Sequence, residues 1–370
     1  MSVIRSIEVT RHVIDLAPPF HAAWDSRPRT NFSATVVRVR DDQGREGVAG
    51  GEPMPGLAGH EDLFIGRDPL DLDRHARIVD NLSFHYGRLW PLECALWDLA
   101  GKLADKPLFR LLGGDAPRLP LYASTGALRT AAEAAETAVR IVEAGFKAMK
   151  LRFHRSDWRD DIAIVAAVRE RIGDRLELMV DCNQGWRMPW DPEDAWSYDS
   201  ALQVARALAE LGVYWMEEPL HRGNYEGMAR LREEGGIRIA GGEMTREWHE
   251  FLTLRRQGCL DVYQPDAVLT LGIGGLLRLG RLLASDGLAL TPHTWGNGLG
   301  LLANAHVAAA VGLSPYLEFP YDPPEWTPDR RDFMLQSPVR ADADGMLTLP
   351  EASGLGIALD EDRLAATRVG

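Results

Sequence analysis

Eight short apolar runs, each followed by a helical stretch or a loop, constrain this chain more than any other feature. They close near Ala123, Arg152, Asp181, Glu217, Glu243, Asp266, His293 and Glu318. Their spacing of roughly 25 to 35 residues is that of βα units. Parallel strands would bring all eight ends to one rim of the sheet. The first intervening helix opens with Thr130-Ala131-Ala132-Glu133, a capping-box spelling, and stops at Gly145. Six more are predicted, over residues 160–172, 200–211, 224–234, 247–257, 275–286 and 301–311. The alternation predicts a (β/α)₈ barrel, although a doubly wound open sheet shares it.

The N-terminal third has a different texture. Residues 4–16 and 34–40 alternate as in an antiparallel hairpin or meander and flank a polar segment from Pro18 to Phe32. A glycine- and proline-rich loop runs from Gly50 to His60, and a helix is predicted from Pro91 to Leu112 with a Gly113-Gly114 stop. The pattern gives a small α+β domain over residues 1–118, a barrel over 119–336, and a segment over 337–370 that leaves the repeat and returns to the first domain.

At 370 residues and 45% hydrophobic composition the chain can bury a large core. Its net charge of −13 is spread along the sequence, which gives no footprint for nucleic acid or an anionic membrane. Cys94, Cys182 and Cys259 are too few and too scattered for a disulfide framework. The first residues alternate like a strand and no apolar stretch reaches spanning length, so the expectation is a soluble, cytoplasmic protein.

The chemistry is concentrated at the strand ends. A single acid there is most often a helix cap. Asp181, Glu217 and Glu243 on consecutive strands instead form an oxygen-ligand set suited to Mg²⁺, because clustered carboxylates repel unless a cation lies between them. Alternation turns Lys150, Arg152 and His154 toward the interior together. They would serve as counter-ions for those acids or as a clamp on a substrate carboxylate. His293, beside Asp266 on the neighbouring strand, is either a structural histidine or a base whose tautomer Asp266 fixes. Glu318 would donate a hydrogen bond if protonated, or hold a cation. Two late glycine clusters spell neither GxGxxG nor the P-loop.

The succession Lys150-x-Arg152, Asp181-x-Asn183, Glu217-Glu218-Pro219, Gly242-Glu243, Gln264-Pro265-Asp266, His293 and Glu318 resembles the enolase superfamily, and within it the mandelate racemase subgroup. The resemblance spans nearly the whole chain. It implies an α+β cap over a modified (β/α)₇β barrel, with less regular first barrel strands. It also implies Mg²⁺ on Asp181, Glu217 and Glu243, an Asp266–His293 dyad, and a symmetric homo-oligomer such as an octamer. His21, Trp24 and Arg27 of the polar segment, with Asn183, His154 and Trp295, would contact a small-molecule carboxylate substrate. The muconate-lactonising branch fits less well, since it carries lysine where this chain has Asp266.

One position departs from the subgroup. Its second lysine, a base, is here Arg152, and arginine is almost never deprotonated in proteins. A racemase needs a group on each face of the α-carbon, whereas a dehydratase can work with His293 alone. The expected activity is therefore dehydration of a sugar acid. Racemisation or epimerisation of a 2-hydroxy or amino acid is the alternative, and a non-catalytic ligand-binding barrel is a more distant one.

Overall fold

The computed structural model describes residues 2–369. Strands β1 (Ile4–Phe20), β2 (Arg29–Asp41) and β3 (Glu46–Gly51) form an antiparallel meander. Pairing runs from Ile4↔Asp41 to Phe20↔Arg29, so strand structure reaches into the polar segment at both ends, leaving His21–Pro28 as its tip. Phe20 and Phe32 hold that extension down, with ring centroids 5.2 and 4.8 Å from Trp326.

Helix α1 (Leu72–Tyr86) was not legible in the sequence, because its buried face consists of only His75, Val79 and Leu82. The helix predicted from Pro91 to Leu112 is two, α2 (Trp90–Leu103) and the short α3 (Leu108–Leu111). Asp105 between them has φ 49°, and Pro107 cannot continue a helical ladder. Helix α2 lies so close on β3 that a Cβ at Gly47 would stand 2.1 Å from the Ala95 carbonyl oxygen. Only glycine fits there.

The barrel then runs β4 (Arg118–Ser124), α4 (Ala131–Glu143), β5 (Ala148–Arg152), α5 (Trp158–Ile172), β6 (Glu177–Asp181), α6 (Tyr198–Glu210) and β7 (Trp215–Glu217). It continues with α7 (Tyr225–Glu234), β8 (Arg238–Gly241), α8 (Trp248–Arg256), β9 (Val262–Tyr263), α9 (Gly272–Ala284), β10 (Ala289–Leu290), α10 (Gly298–Val311) and β11 (Leu317–Pro320). Thr130 and Glu133 form the expected capping box on α4. Eight parallel strands with seven intervening helices make the (β/α)₇β arrangement, in the order β10-β9-β8-β7-β6-β5-β4-β11.

The irregular strands are late ones, contrary to the expectation for the first: β9 and β10 have two residues each. Pro265 and Pro292 lack the amide that would extend each ladder. The backbone stays attached beyond them through Gln264 N–H to Gly241 O at 2.8 Å and His293 N–H to Pro265 O at 3.0 Å. Among the described residues no backbone ladder joins β10 to β11. Side chains bridge that seam: Thr294 Oγ1 donates to Glu318 O at 2.7 Å, and Ser314 donates to Leu290 O.

After β11 come α11 (Pro328–Arg331), β12 (Met346–Thr348), α12 (Glu361–Thr367) and β13 (Arg368–Val369). Strand β12 pairs with β4 of the barrel before β13 reaches β1. The lower barrel is filled by Tyr122, Ala148, Met179, Trp215, Ala240 and Val262. No helix among the described residues is long and apolar enough to cross a membrane.

Candidate active site

Period-two alternation stacks the polar groups directly above that apolar plug. On β5 the interior sequence is Ala148, Lys150, Arg152; on β6 it is Met179, Asp181; on β7, Trp215, Glu217. The parallel register sets Arg152 beside Asp181 and Asp181 beside Glu217. Glu243 joins from just beyond β8, and one oxygen from each of Asp181, Glu217 and Glu243 lies within 4.8 Å of the others. All three are buried.

Lys150 lies beneath this triad. Its ammonium donates to both Glu217 oxygens at 2.7 and 2.9 Å and stands 2.9 Å from Glu318 Oε1. Burial disfavours its charge, yet Glu217 and Glu318 hold its pKa above the ordinary lysine range. It is fully buried, does not line the cavity, and neutralises the carboxylates around it. Glu318 is buried too, but Lys150, His293 and Arg152 hold its pKa well below the carboxylate range. It acts as an acceptor, taking Ser124 Oγ at 2.7 Å and the Thr294 amide at 2.7 Å.

Arg152 does line the cavity. Its guanidinium donates to Asp181, to the Thr125 carbonyl at 2.8 Å and to Ser124 Oγ at 3.3 Å. The Trp24 and Trp295 rings lie 4.9 and 5.2 Å from it. Burial again opposes the charge, and Asp181 and Glu318 raise the pKa beyond the ordinary arginine value. It is a fixed cation.

His293 Nδ1 donates to Asp266 Oδ2 at 2.9 Å, and Nε2 is 3.5 Å from Glu243 Oε2. Asp266 also accepts the Val268 amide at 2.8 Å and Asn304 Nδ2 at 2.9 Å. With donors on both oxygens, it is a fixed acceptor that occupies Nδ1 and leaves Nε2 as the ring nitrogen turned away from it. Burial would lower the His293 pKa, but Glu243, Glu318 and Asp266 push it up to about 9. A cation on Glu243 removes the largest of those pulls.

The donor set fits Mg²⁺. Burial, reinforced by Glu243 and Asp181, pushes Glu218 well above the carboxylate range, which sets it apart from the converging three. Asp181, Glu217 and Glu243 thus converge three carboxylates in a buried space, the oxygen-donor chemistry that suits a hard divalent cation. Burial also pushes Glu217 up to about 7 against the pull of Lys150. Asn183, with φ 49°, points amide atoms without a hydrogen-bond partner into the same space.

A cavity of about 370 Å³ opens over these groups, lined by Trp24, Arg152, Asn183, Glu243, His293 and Trp295 among others. Three expected contacts fall outside it. His21 Nε2 donates to the Asp25 carbonyl, 3.0 Å away, and faces a separate outer cleft. Arg27 is exposed at the loop tip. His154 lies beyond the end of β5 and is held by Asp191 Oδ1 at 3.0 Å. The cap contributes Arg29 and Asp25 instead, paired at 2.5 Å. Sequence reasoning also missed Gln264 as a partner of Glu217, at 2.7 Å, and Trp186 as a donor to Glu243, at 2.9 Å. Both follow or precede a site residue closely, which is a signal, though a weak one.

Comparison with known proteins matches this architecture. The enolase C-terminal domain-like family model covers residues 133–363. The 3,6-anhydro-alpha-L-galactonate cycloisomerase of Streptomyces coelicolor is 32% identical over 361 residues, 92% of each chain. The arabinonate dehydratase of Saccharolobus solfataricus is 30% identical over 271 residues, 72% of this chain and 68% of its own. A racemase from Streptomyces coelicolor A3(2), solved with bound magnesium, superposes with a TM-score of 0.85 at 26% identity, covering 99% of this chain and 100% of its own. An acid triad and a histidine–aspartate pair on the rim of a capped (β/α)₇β barrel thus go with sequence kinship along the same strands, and this chain belongs to the enolase superfamily as an enolase C-terminal domain-like protein.

Proposed function

We propose that this protein is a Mg²⁺-dependent acid-sugar dehydratase converting an aldonate or aldarate to a 2-keto-3-deoxy acid. The observation that carries the reading is the uneven supply of bases. Among the described residues lining the cavity, His293 is the single imidazole and there is no lysine. Arg152, across the ring, is locked as a cation.

Asp181, Glu217 and Glu243 would hold Mg²⁺, which supplies positive charge to the substrate carboxylate and to the negative charge that grows there as the α-proton leaves. Arg152 and the unpartnered amide of Asn183 orient that carboxylate. Nε2 of His293 takes the α-proton while Asp266 holds the ring and stabilises the imidazolium. The same Nε2 then returns the proton to the departing 3-hydroxyl, the C–O bond breaks, water leaves, and the enol product relaxes to the ketone. Trp24, Trp295 and Trp186 exclude bulk water from this exchange.

A second reading, cycloisomerisation, is favoured by the relative matched over 92% of each chain. It uses the same proton abstraction but expels a ring oxygen that stays tethered. Incubating aldonic and aldaric acids with enzyme and Mg²⁺ and trapping ketoacid with semicarbazide tests the first reading. Product isomeric with substrate, with no water lost, would establish the second. Racemisation would appear as deuterium in recovered substrate from D₂O. The symmetric assembly implied by the resemblance belongs to this proposal, and mass photometry of the purified protein checks it.

A further inference from the structure

The cavity wall carries more positive charge than this reaction uses. Besides Arg152 it holds Arg29, Arg88, Arg222 and Arg246. Asp25 neutralises Arg29. The other three form no ion pair among the described residues. Arg88 is partly buried just before α2, and among the described residues its side chain donates only to Met244 Sδ, at 3.2 Å. A thioether is a weak acceptor for a guanidinium. Burial, then the neighbouring Arg246, lowers the Arg88 pKa, which marks a cation short of counter-charge.

Arg222 and Arg246 stand on the loops after β7 and β8, so the three side chains converge from both sides of the seam between cap and barrel. All three also line an adjoining outer cavity of about 300 Å³. The acids nearby do not cancel them. Glu250 receives the backbone amides of Arg246 and Glu247, at 3.1 and 3.0 Å, and Asp80 and Glu247 line only the outer cavity. Glu52, on the inner wall, offsets one charge at most, and the pulls of Asp266 and Glu243 on Arg88 are weaker still. The same wall carries apolar Met188, Met244 and Leu269, and the cavity is large enough for a small ligand that spans from these arginines toward His293.

We propose that Arg88, Arg222 and Arg246 form a second anion subsite, and that the substrate is a dianionic acid sugar whose terminal carboxylate or phosphate docks there. The proposal rests on the dehydratase reading for the chemistry at the other end. Guanidinium forks match carboxylate and phosphate oxygens in pairs, and an anion arriving at unpaired arginines relieves their mutual repulsion.

The test uses six-carbon aldarates, aldonates of matching configuration and aldonate 6-phosphates with the Mg²⁺-loaded protein. Arg222→Ala and Arg246→Ala change exposed side chains, so folding is preserved. Expected are a wild-type kcat/KM roughly tenfold or more in favour of a dianionic series, and in each variant a KM for that series raised about tenfold more than for aldonates, with kcat changed little. Turnover of the aldarate or of the phosphate series identifies the terminal group. Wild-type preference for aldonates, or equal KM changes across all series, overturns the subsite. Should no acid be turned over, the reaction reading fails, and calorimetry on the same proteins decides the subsite separately. Aldarate or phosphate binding weakened about tenfold more than aldonate binding sustains it, and equal weakening overturns it.

Discussion

Asp266 and His293 are joined by a 2.9 Å hydrogen bond from Nδ1, and the acid is itself pinned by Asn304 and the Val268 amide. The imidazole is therefore aimed by a network reaching into α10, set by the fold itself. His293→Asn should reduce both α-proton exchange and ketoacid formation by roughly 100- to 10,000-fold, the usual weight of a general base. Proton NMR in D₂O reads both. Exchange at the wild-type rate would mean that another group is the base.

Glu217→Gln should abolish measurable Mg²⁺ binding by calorimetry. It should also lower stability by about 1–3 kcal/mol, because the amide cannot accept from Lys150 and Gln264 as the carboxylate does. Undiminished affinity for Mg²⁺ would remove the metal assignment.

Trp24→Ala should alter the ranking of acid substrates and weaken the hold on Arg152, whose guanidinium lies 4.9 Å from its ring. Arg27→Ala, at an exposed tip, should leave the ranking as it is. A kcat/KM comparison across the acid panel distinguishes them, and the reverse pattern would restore the contact that the sequence suggested.

The strand-end residues were legible because a βα repeat puts every strand end on one rim, whatever the loops do. Arg152, Asp181, Glu217, Asp266 and His293 needed only the repeat and the alternation. His154 misled because alternation was carried two residues past the end of β5. His21 and Arg27 misled because the pairing of Phe20 with Arg29 decides which loop residues turn inward, and that pairing is a long-range event. The three unpaired arginines lie far apart in sequence, with no local pattern to join them.

A pH prediction follows from two groups buried between cap and barrel. Burial lowers the His306 pKa to about 4, and its ring accepts the Phe109 amide at 2.9 Å. In the unfolded chain it titrates near 6.5, so the unfolded state binds the extra proton first and stability is lost as pH falls from 6.5 toward 4. From pH 7 to pH 5 its contribution drops by about 2 kcal/mol. Glu93, bound to the α9 amides of Ile273 and Gly274, is pushed up to about 7 by burial. Its contribution is present below pH 4.5 and lost as pH rises to 7, so the two oppose each other. Denaturant unfolding should show the wild-type advantage over His306→Gln shrinking by about 2 kcal/mol from pH 7 to pH 5, and that over Glu93→Gln growing by a similar amount. Parallel curves for all three proteins would contradict both burial arguments.

The side-chain-bridged seam between β10 and β11 makes the barrel a split ring. His293 rides just past one lip, and Glu318, with its hold on Lys150, sits on the other. The imidazole and the charge-balancing group are thus mounted on separate staves, coupled by two hydroxyls and the Thr294 amide in place of a continuous ladder. Thr294 binds Glu318 through both its amide and its hydroxyl, so this one residue clasps the two lips and keeps the imidazole at a set distance from the acid cluster where no ladder does so.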